Sequence, residues 1–247
     1  MRLKKKKYKK KENRKRNWKK IVWLIIGVAG AVLLYLFLKD MPNPKKLESG
    51  EYPESSQIMD RNGKMLYEIY ADKNRTSVVL SEVPDKMIKA TLAIEDNNFY
   101  KHVGFDIRGI IRGLYRTIFE RRLQGGSTIT QQLVKNALLT PERTWERKIK
   151  EAFLTVITEI MYSKDEILEM YFNQTPYGGT MWGVQAAAKG IFNKDVKYLD
   201  LAESALLAGL PASPTKYSPF SYPEAAKKRQ IMVLDRMLEL KLISQDE

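Results

Sequence analysis

Residues 93–104 read Ala-Ile-Glu-Asp-Asn-Asn-Phe-Tyr-Lys-His-Val-Gly. Met87, Ala90, Leu92 and Ile94 lead into this stretch as a short apolar helical run. Two adjacent carboxylates, Glu95 and Asp96, end the run, and the only histidine, His102, lies seven residues beyond Glu95. A carboxylate at the end of a buried element is rigidly held and faces a cleft, the position a general acid or base requires. Most Glu-Asp pairs are merely solvated, so this one gains meaning from what surrounds it. His102 alone offers no metal cluster and reads as a structural or cleft hydrogen-bonder.

Downstream, Gly125 and Gly126 precede Ser-Thr-Ile-Thr-Gln-Gln at 127–132. Thr128 with Gln131 forms a capping box, so a helix starts here. Free amides at its N-terminus, the hydroxyls of Ser127, Thr128 and Thr130, and Lys135 make a cradle for a phosphate or pyrophosphate. A capped helix without a ligand is the plainer alternative. Thr140-Pro-Glu142 reads as another helix start. The helix it opens is expected to bury Trp145, Ile149, Ala152, Phe153, Val156, Ile157 and Ile160. Glu151 falls off the centre of that stripe, with Arg147 and Lys148 at i−4 and i−3 to keep it ionised. A helical salt bridge explains the trio, but Arg143, Arg147 and Lys148 also place positive charge where an anionic leaving group could be held.

Ser163 and Glu166 cap a helix over 164–172, and Gly178, Gly179 and Gly183 form a tight loop before an Ala-rich helix over 184–191. Residues 199–210 are nearly all apolar and belong to the core, and 227–242 are amphipathic.

Upstream, charge is a local device. The first 20 residues hold 13 basic residues and one acid, whereas the other 227 hold 30 basic and 28 acidic residues. Residues 21–38 follow directly, 18 uncharged residues between Lys20 and Lys39, at the short end of what spans a bilayer. No small-residue cleavage site follows, so the stretch reads as an uncleaved anchor with the basic tail cytoplasmic. The adjacent span makes topology and anionic lipid a better account of the basic run than nucleic acid. Pro42, Pro44 and Pro53 mark 39–55 as linker, Asn62-Gly63 predicts a hairpin within 58–69, and 76–80 could add a strand. Between 107 and 119 an apolar helical face is bordered by Arg108, Arg112 and Arg116 at i, i+4 and i+8. An amphipathic core helix and an interfacial helix against anionic headgroups both fit that pattern. Cysteine is absent, which excludes disulfides and thiolate chemistry.

Four stretches together resemble the peptidoglycan glycosyltransferases of glycosyltransferase family 51, the polymerases of class A penicillin-binding proteins and their monofunctional relatives. ED-x-x-F-x-x-H-x-G is met by Glu95, Asp96, Phe99, His102 and Gly104, and G-x-S-T-I-T-Q-Q by residues 125–132. R-K-x-x-E is met by Arg147, Lys148 and Glu151. K-x-x-I-L-E-x-Y-L-N is met by Lys164, Ile167, Leu168, Glu169, Tyr171 and Asn173, with Phe172 replacing leucine. The likeness runs from about residue 57 to the end. It departs at 189–192, Lys-Gly-Ile-Phe, where relatives often carry an aromatic pair.

The resemblance implies a mainly α fold: a lysozyme-like glycosyltransferase domain with a small membrane-dipping lobe containing 107–119, preceded by one transmembrane helix and a short β-hairpin linker. The expected divisions are 1–20 basic cytoplasmic tail, 21–38 transmembrane helix, 39–83 linker with hairpin, 84–220 catalytic domain and 221–247 C-terminal helix. That last helix could lead to a further domain, as in the front half of a bifunctional penicillin-binding protein. The implied substrates are lipid II and the growing glycan strand. Glu95 would be the base, and Glu151, Lys135 and Arg143 would assist the pyrophosphate. Asp96, Ser127, Thr128, Gln131 and Gln132 would contact substrate, as would Asn136, Arg147 and Lys148. Arg108, Arg112 and Arg116 would meet the membrane. No cofactor is required, with Mg2+ or Mn2+ at Glu151 an option. The partners implied are membrane lipids and cell-wall synthesis or division proteins, and no nucleic acid. The chain would sit in the cell membrane as a single-pass protein, N-terminus cytoplasmic and catalytic domain extracellular.

A lytic transglycosylase or muramidase would share the fold and a catalytic glutamate but would need neither the cradle nor the Arg-Lys pair. A catalytically silent wall-synthesis scaffold would not need both Glu95 and Glu151. Ser213-Pro-Thr-Lys216 fits S-x-x-K, yet no S-D-N or K-T-G follows, so a transpeptidase reading fails. Asn173-Gln-Thr175 fits a glycosylation sequon by accident.

Overall fold

Helix α1 (Asp85–Glu95) starts after Pro84 and ends on the carboxylate pair, the Asp96 N–H closing its last turn on the Leu92 carbonyl. It buries Met87, Ala90, Thr91 and Ala93. This is a computed structural model. It describes residues 37–48, 56–59, 65–69, 74–106, 126–140 and 144–247, with positions 18, 23–28, 30, 32, 35, 61, 109 and 142.

The later helices begin on local start signals, of which the Thr128–Gln131 and Ser163–Glu166 pairs were expected. Helix α2 (Ile129–Leu138) has the full Thr128–Gln131 capping box, and α4 (Lys164–Gln174) the Ser163–Glu166 one. Helix α5 (Val184–Phe192) follows a glycine-rich turn. Helix α6 (Leu201–Gly209) is capped by Asp200 and Glu203, and α7 (Pro223–Glu239) has proline in its first turn, where no intrahelical N–H is needed. Each of these caps satisfies backbone donors that the first turn leaves open.

Helix α3 (Trp145–Met161) departs from the sequence reading twice. It starts at Thr144, whose hydroxyl accepts from the Arg147 N–H at 3.1 Å, and not at Thr140. Thr140 and Thr144 are equally good caps locally, and the fold selects the later one. The apolar stripe also faces outward. Trp145 is 88% and Ile160 76% exposed, and Ile149, Phe153 and Val156 are exposed as well. The face packed inward carries Glu151, Leu154, Thr155 and Thr158.

Helices α1, α6 and α7 pack on one another, and α2 packs on α3 and α4. A single core joins the two groups, including Met87, Leu133, Ile167, Leu168, Phe172, Leu207 and Val233. Burying each such side chain contributes about 1.5–3 kcal/mol. Glu95 at the end of α1 is therefore set against α2 at the seam.

Strands are minor. Strands β1 (Ser56–Met59) and β2 (Met65–Ile69) pair antiparallel with Ile58 opposite Tyr67, as a hairpin requires. Asn62 and Gly63 of the expected turn lie outside the described residues. Strand β3 (Asn74–Arg75) runs parallel to β5 (Met181–Trp182), which pairs antiparallel with β4 (Pro176–Gly178). Residues 76–80 do not form the expected strand, because side chains of α4 replace a neighbouring strand. Asn173 accepts from the Val78 N–H at 2.9 Å and donates to the Val78 carbonyl at 2.8 Å. Glu169 accepts from the Leu80 N–H at 2.7 Å.

The chain divides into two units, Met1–Pro42 and Asn43–Glu247. In the first, 23–28 and 37–39 are helical, and Trp23, Leu24, Ile25 and Ile26 are exposed. Among the described residues no helix is long and apolar enough to cross a membrane. Several positions of 21–38 lie outside the described residues.

The Asn173 amide holds both polar groups of the buried Val78 backbone. Asn173→Ala should lower stability by about 2–6 kcal/mol, since each of the two orphaned buried groups costs about 1–3 kcal/mol. Urea unfolding in detergent, followed by circular dichroism, checks this; an unchanged midpoint would contradict the assignment.

Candidate active site

Asp96 joins the parts of the site. Its side chain is 2% exposed, and its carboxylate accepts from the Ile129 N–H at 3.1 Å in the first turn of α2. Both oxygens also face Nε2 of His102, at 2.9 and 3.0 Å. His102 is thus a structural hydrogen-bonder, and Asp96, expected to contact substrate, is largely occupied by the fold. Gly104 completes the junction. Its carbonyl accepts the Thr128 hydroxyl at 2.7 Å, and a Cβ on its φ +77° backbone would lie 2.7 Å from Thr155 Cγ2.

Glu95 is held differently. One oxygen accepts from the Gln132 side-chain amide at 2.6 Å. The other has no hydrogen-bond partner and faces an Arg229 guanidinium nitrogen at 3.8 Å. Burial pushes the Glu95 carboxyl above the usual carboxylate range; the Gln132 hydrogen bond, Arg229 and Lys135 pull it back, and Asp96 adds to the rise. A carboxylate with a raised proton affinity and a free oxygen is equipped to accept a proton. It opens on a cleft of about 810 Å³ also lined by Ser127, Gln132, Lys135, Lys216 and Arg229.

A second cluster lies on α3. Glu151, 2% exposed, accepts from Arg147 at 2.7 Å and from the Lys148 ammonium. Lys135 on α2 is in electrostatic reach of both Glu95 and Glu151. Desolvation holds its ammonium below the ordinary lysine value; Glu151 opposes this, Arg147 adds to it, Glu95 opposes it and Lys148 adds to it. Cations held close together with one carboxylate between them attract an additional anion. Among the described residues no group of three or more His, Asp or Glu side chains could hold a metal ion.

The expected residues thus separate by position. Glu95, Asp96, Ser127, Thr128, Gln132 and Lys135 meet at the cleft. Gln131 turns back onto the Thr128 amide, Thr130 is buried against Glu159, and Asn136 is half-buried one turn beyond Gln132. Arg143, Arg108, Arg112 and Arg116 lie outside the described residues. Sequence reading missed Lys216 and Arg229. Lys216 was visible only through a chance motif, and Arg229 through a cation on a helix with no other signal.

The raised Glu95 carboxyl has a thermodynamic consequence. The folded state holds the proton more tightly than the unfolded chain, so this residue's contribution falls as pH rises through the window above the ordinary glutamate value. Glu95→Gln should therefore raise the melting temperature at pH 7, and the gain should vanish near pH 4. Calorimetry at the two pH values checks this; equal melting temperatures at pH 7 would contradict it.

The chain matches the family described as Transglycosylase over residues 62–238. It is 46% identical over 228 residues to penicillin-binding protein 1A of Aquifex aeolicus, covering 87% of this chain and 31% of that protein. With penicillin-binding protein 1F of Bacillus subtilis it shares 42% identity over 194 residues, 78% of this chain and 27% of that one. A crystal structure of penicillin-binding protein 1A from Haemophilus influenzae aligns over 79% of this chain and 19% of that chain, at 25% identity and a TM-score of 0.42. This chain spans about a third of the length of the relatives it matches.

Proposed function

The chain belongs to the transglycosylase family, and on that premise we propose that it polymerises lipid II into the β-1,4 glycan strands of peptidoglycan. Glu95 takes the proton of the acceptor GlcNAc 4-hydroxyl. The oxygen attacks the anomeric carbon of the growing strand, and the bond from that carbon to the polyprenyl pyrophosphate breaks with inversion. Negative charge then develops on the departing pyrophosphate, where Lys135, Arg147 and Lys148, with Arg143, stabilise it. Glu151 fixes the directions of Arg147 and Lys148. The observation that carries this reading is Glu95, buried with one free oxygen at a cleft, with a cation cluster on the neighbouring helices. Both oxygens of Glu151 are already paired with the cations of Arg147 and Lys148, so its surroundings do not fit a divalent cation.

A glycan-cleaving enzyme would have no use for that cation cluster, and a silent scaffold no use for a base with raised proton affinity. The remaining elements of the reading are a lysozyme-like arrangement, an anchor at 21–38 with the catalytic part outside the cell, and a lobe around 107–119 that enters the bilayer. The outward apolar face of α3 supports a membrane-proximal placement. Partners among cell-wall synthesis or division proteins fit the same setting.

Incubation of the detergent-solubilised chain with labelled lipid II, followed by gel separation, should give long glycan. Glu95→Gln should lower the rate by roughly 10²–10⁴-fold, the range of general-base catalysis, while substrate binding persists. A near wild-type rate would remove Glu95 as the base. For the lobe, replacing Arg108, Arg112 and Arg116 together with Glu, in a form lacking residues 1–40, should weaken co-sedimentation with anionic liposomes. Unchanged binding would return 107–119 to the core.

A further inference from the structure

We propose that Arg229 is the positioning residue of the base: it keeps the free oxygen of Glu95 ionised and aimed into the cleft. The inference rests on the assignment of Glu95 as base. Arg229 comes from α7, far along the chain, and its side chain is only 13% exposed. Three contacts fix it. Its Nε donates to the Gly209 carbonyl at 3.3 Å. Its guanidinium lies 5.6 Å from the centre of the Tyr217 ring. Its stem runs so close to α6 that a Cβ on Gly209 would lie 2.8 Å from Arg229 Cγ. Its Nη2 is 3.8 Å from Glu95 Oε1, too far for a hydrogen bond and close enough for charge. Oε1 therefore stays open to a substrate hydroxyl while a fixed cation favours its ionised form.

The other groups around Glu95 cannot replace it. Gln132 is neutral and holds the opposite oxygen. Lys135 divides its charge between Glu95 and Glu151. Asp96 raises the proton affinity of Glu95 instead of lowering it, and Tyr171 and Tyr177, both buried and in electrostatic reach of Glu95, are held protonated chiefly by burial. Arg229 is the permanent cation of the set, since guanidinium does not deprotonate in proteins.

The test compares wild type, Arg229→Gln, Arg229→Lys and Gly209→Ala as full chains in detergent micelles. Polymerisation of lipid II is measured against pH, and the Glu95 carboxyl is titrated by carbon-13 NMR, its resonance assigned from its loss in Glu95→Gln. Arg229→Gln should move both the acidic limb of kcat/KM and the Glu95 titration upward by about one pH unit, costing about tenfold in rate on the acid side. Arg229→Lys should recover most of that loss. Gly209→Ala should shift both in the same direction while remaining folded, because alanine favours the helix and only the arginine stem is displaced. An unmoved titration in Arg229→Gln would overturn the proposal. In that event a raised KM would make Arg229 a grip on substrate anion, and a lowered melting temperature alone would make it a brace between α6 and α7. If wild type leaves lipid II unchanged, the glycosyl-transfer reading fails, and the carbon-13 titration still decides the role of Arg229.

Discussion

The carboxylate of Asp96 is the constraint on which the site depends. Buried without partners, an ionised carboxylate would cost several kcal/mol, so its position is tolerable only where hydrogen-bond donors surround it. Ile129 supplies a backbone donor from the first turn of α2, and His102 supplies an imidazole from the loop after α1. Satisfying one charge therefore docks the end of one helix on the start of another. Gln132 lies on the next turn of α2, which brings its amide to Glu95. The neighbouring carboxylate receives its geometry from the one that is fully satisfied.

Adjacent residues of the same chemistry are thereby separated in role. Asp96 is fully engaged and Glu95 is left with one open oxygen. The same division recurs at Glu151, whose two oxygens are both held by cations. A carboxylate with every oxygen engaged organises its surroundings, and one with an oxygen to spare can accept a proton. Low dielectric around the seam strengthens each of these interactions and raises the proton affinity of the unsatisfied one.

Much of this was legible in the sequence wherever the cause is local. Capping at Thr128 and Ser163 depends on residues three apart and appeared as read. The pairing of Glu151 with Arg147 and Lys148 is set by helical periodicity alone. Failures arose where tertiary packing chooses between locally equal options. The stripe from Trp145 to Ile160 has the periodicity of a core face, but periodicity cannot say which side of a helix the core lies on. Val78 has strand-like neighbours, yet its backbone is satisfied by Asn173, 95 residues away. Arg229 meets Glu95 only because Gly209 leaves room for its stem, a relation among three elements that no single stretch records.

The wall of the cleft that carries Arg229 belongs to α7, while Glu95 belongs to α1. A chain made from its N-terminus presents Glu95 early and completes its surroundings late, since domains acquire structure as they emerge. Until α7 has followed, Glu95 lacks its fixed cation and α6 lacks one of the two helices it packs against. Assembly order thus separates the two partners in time: Glu95 is made well before the helix that brings a guanidinium beside it. A chain interrupted before α7 would retain the motif residues and lack the wall that Arg229, Met232 and Arg236 give the cleft.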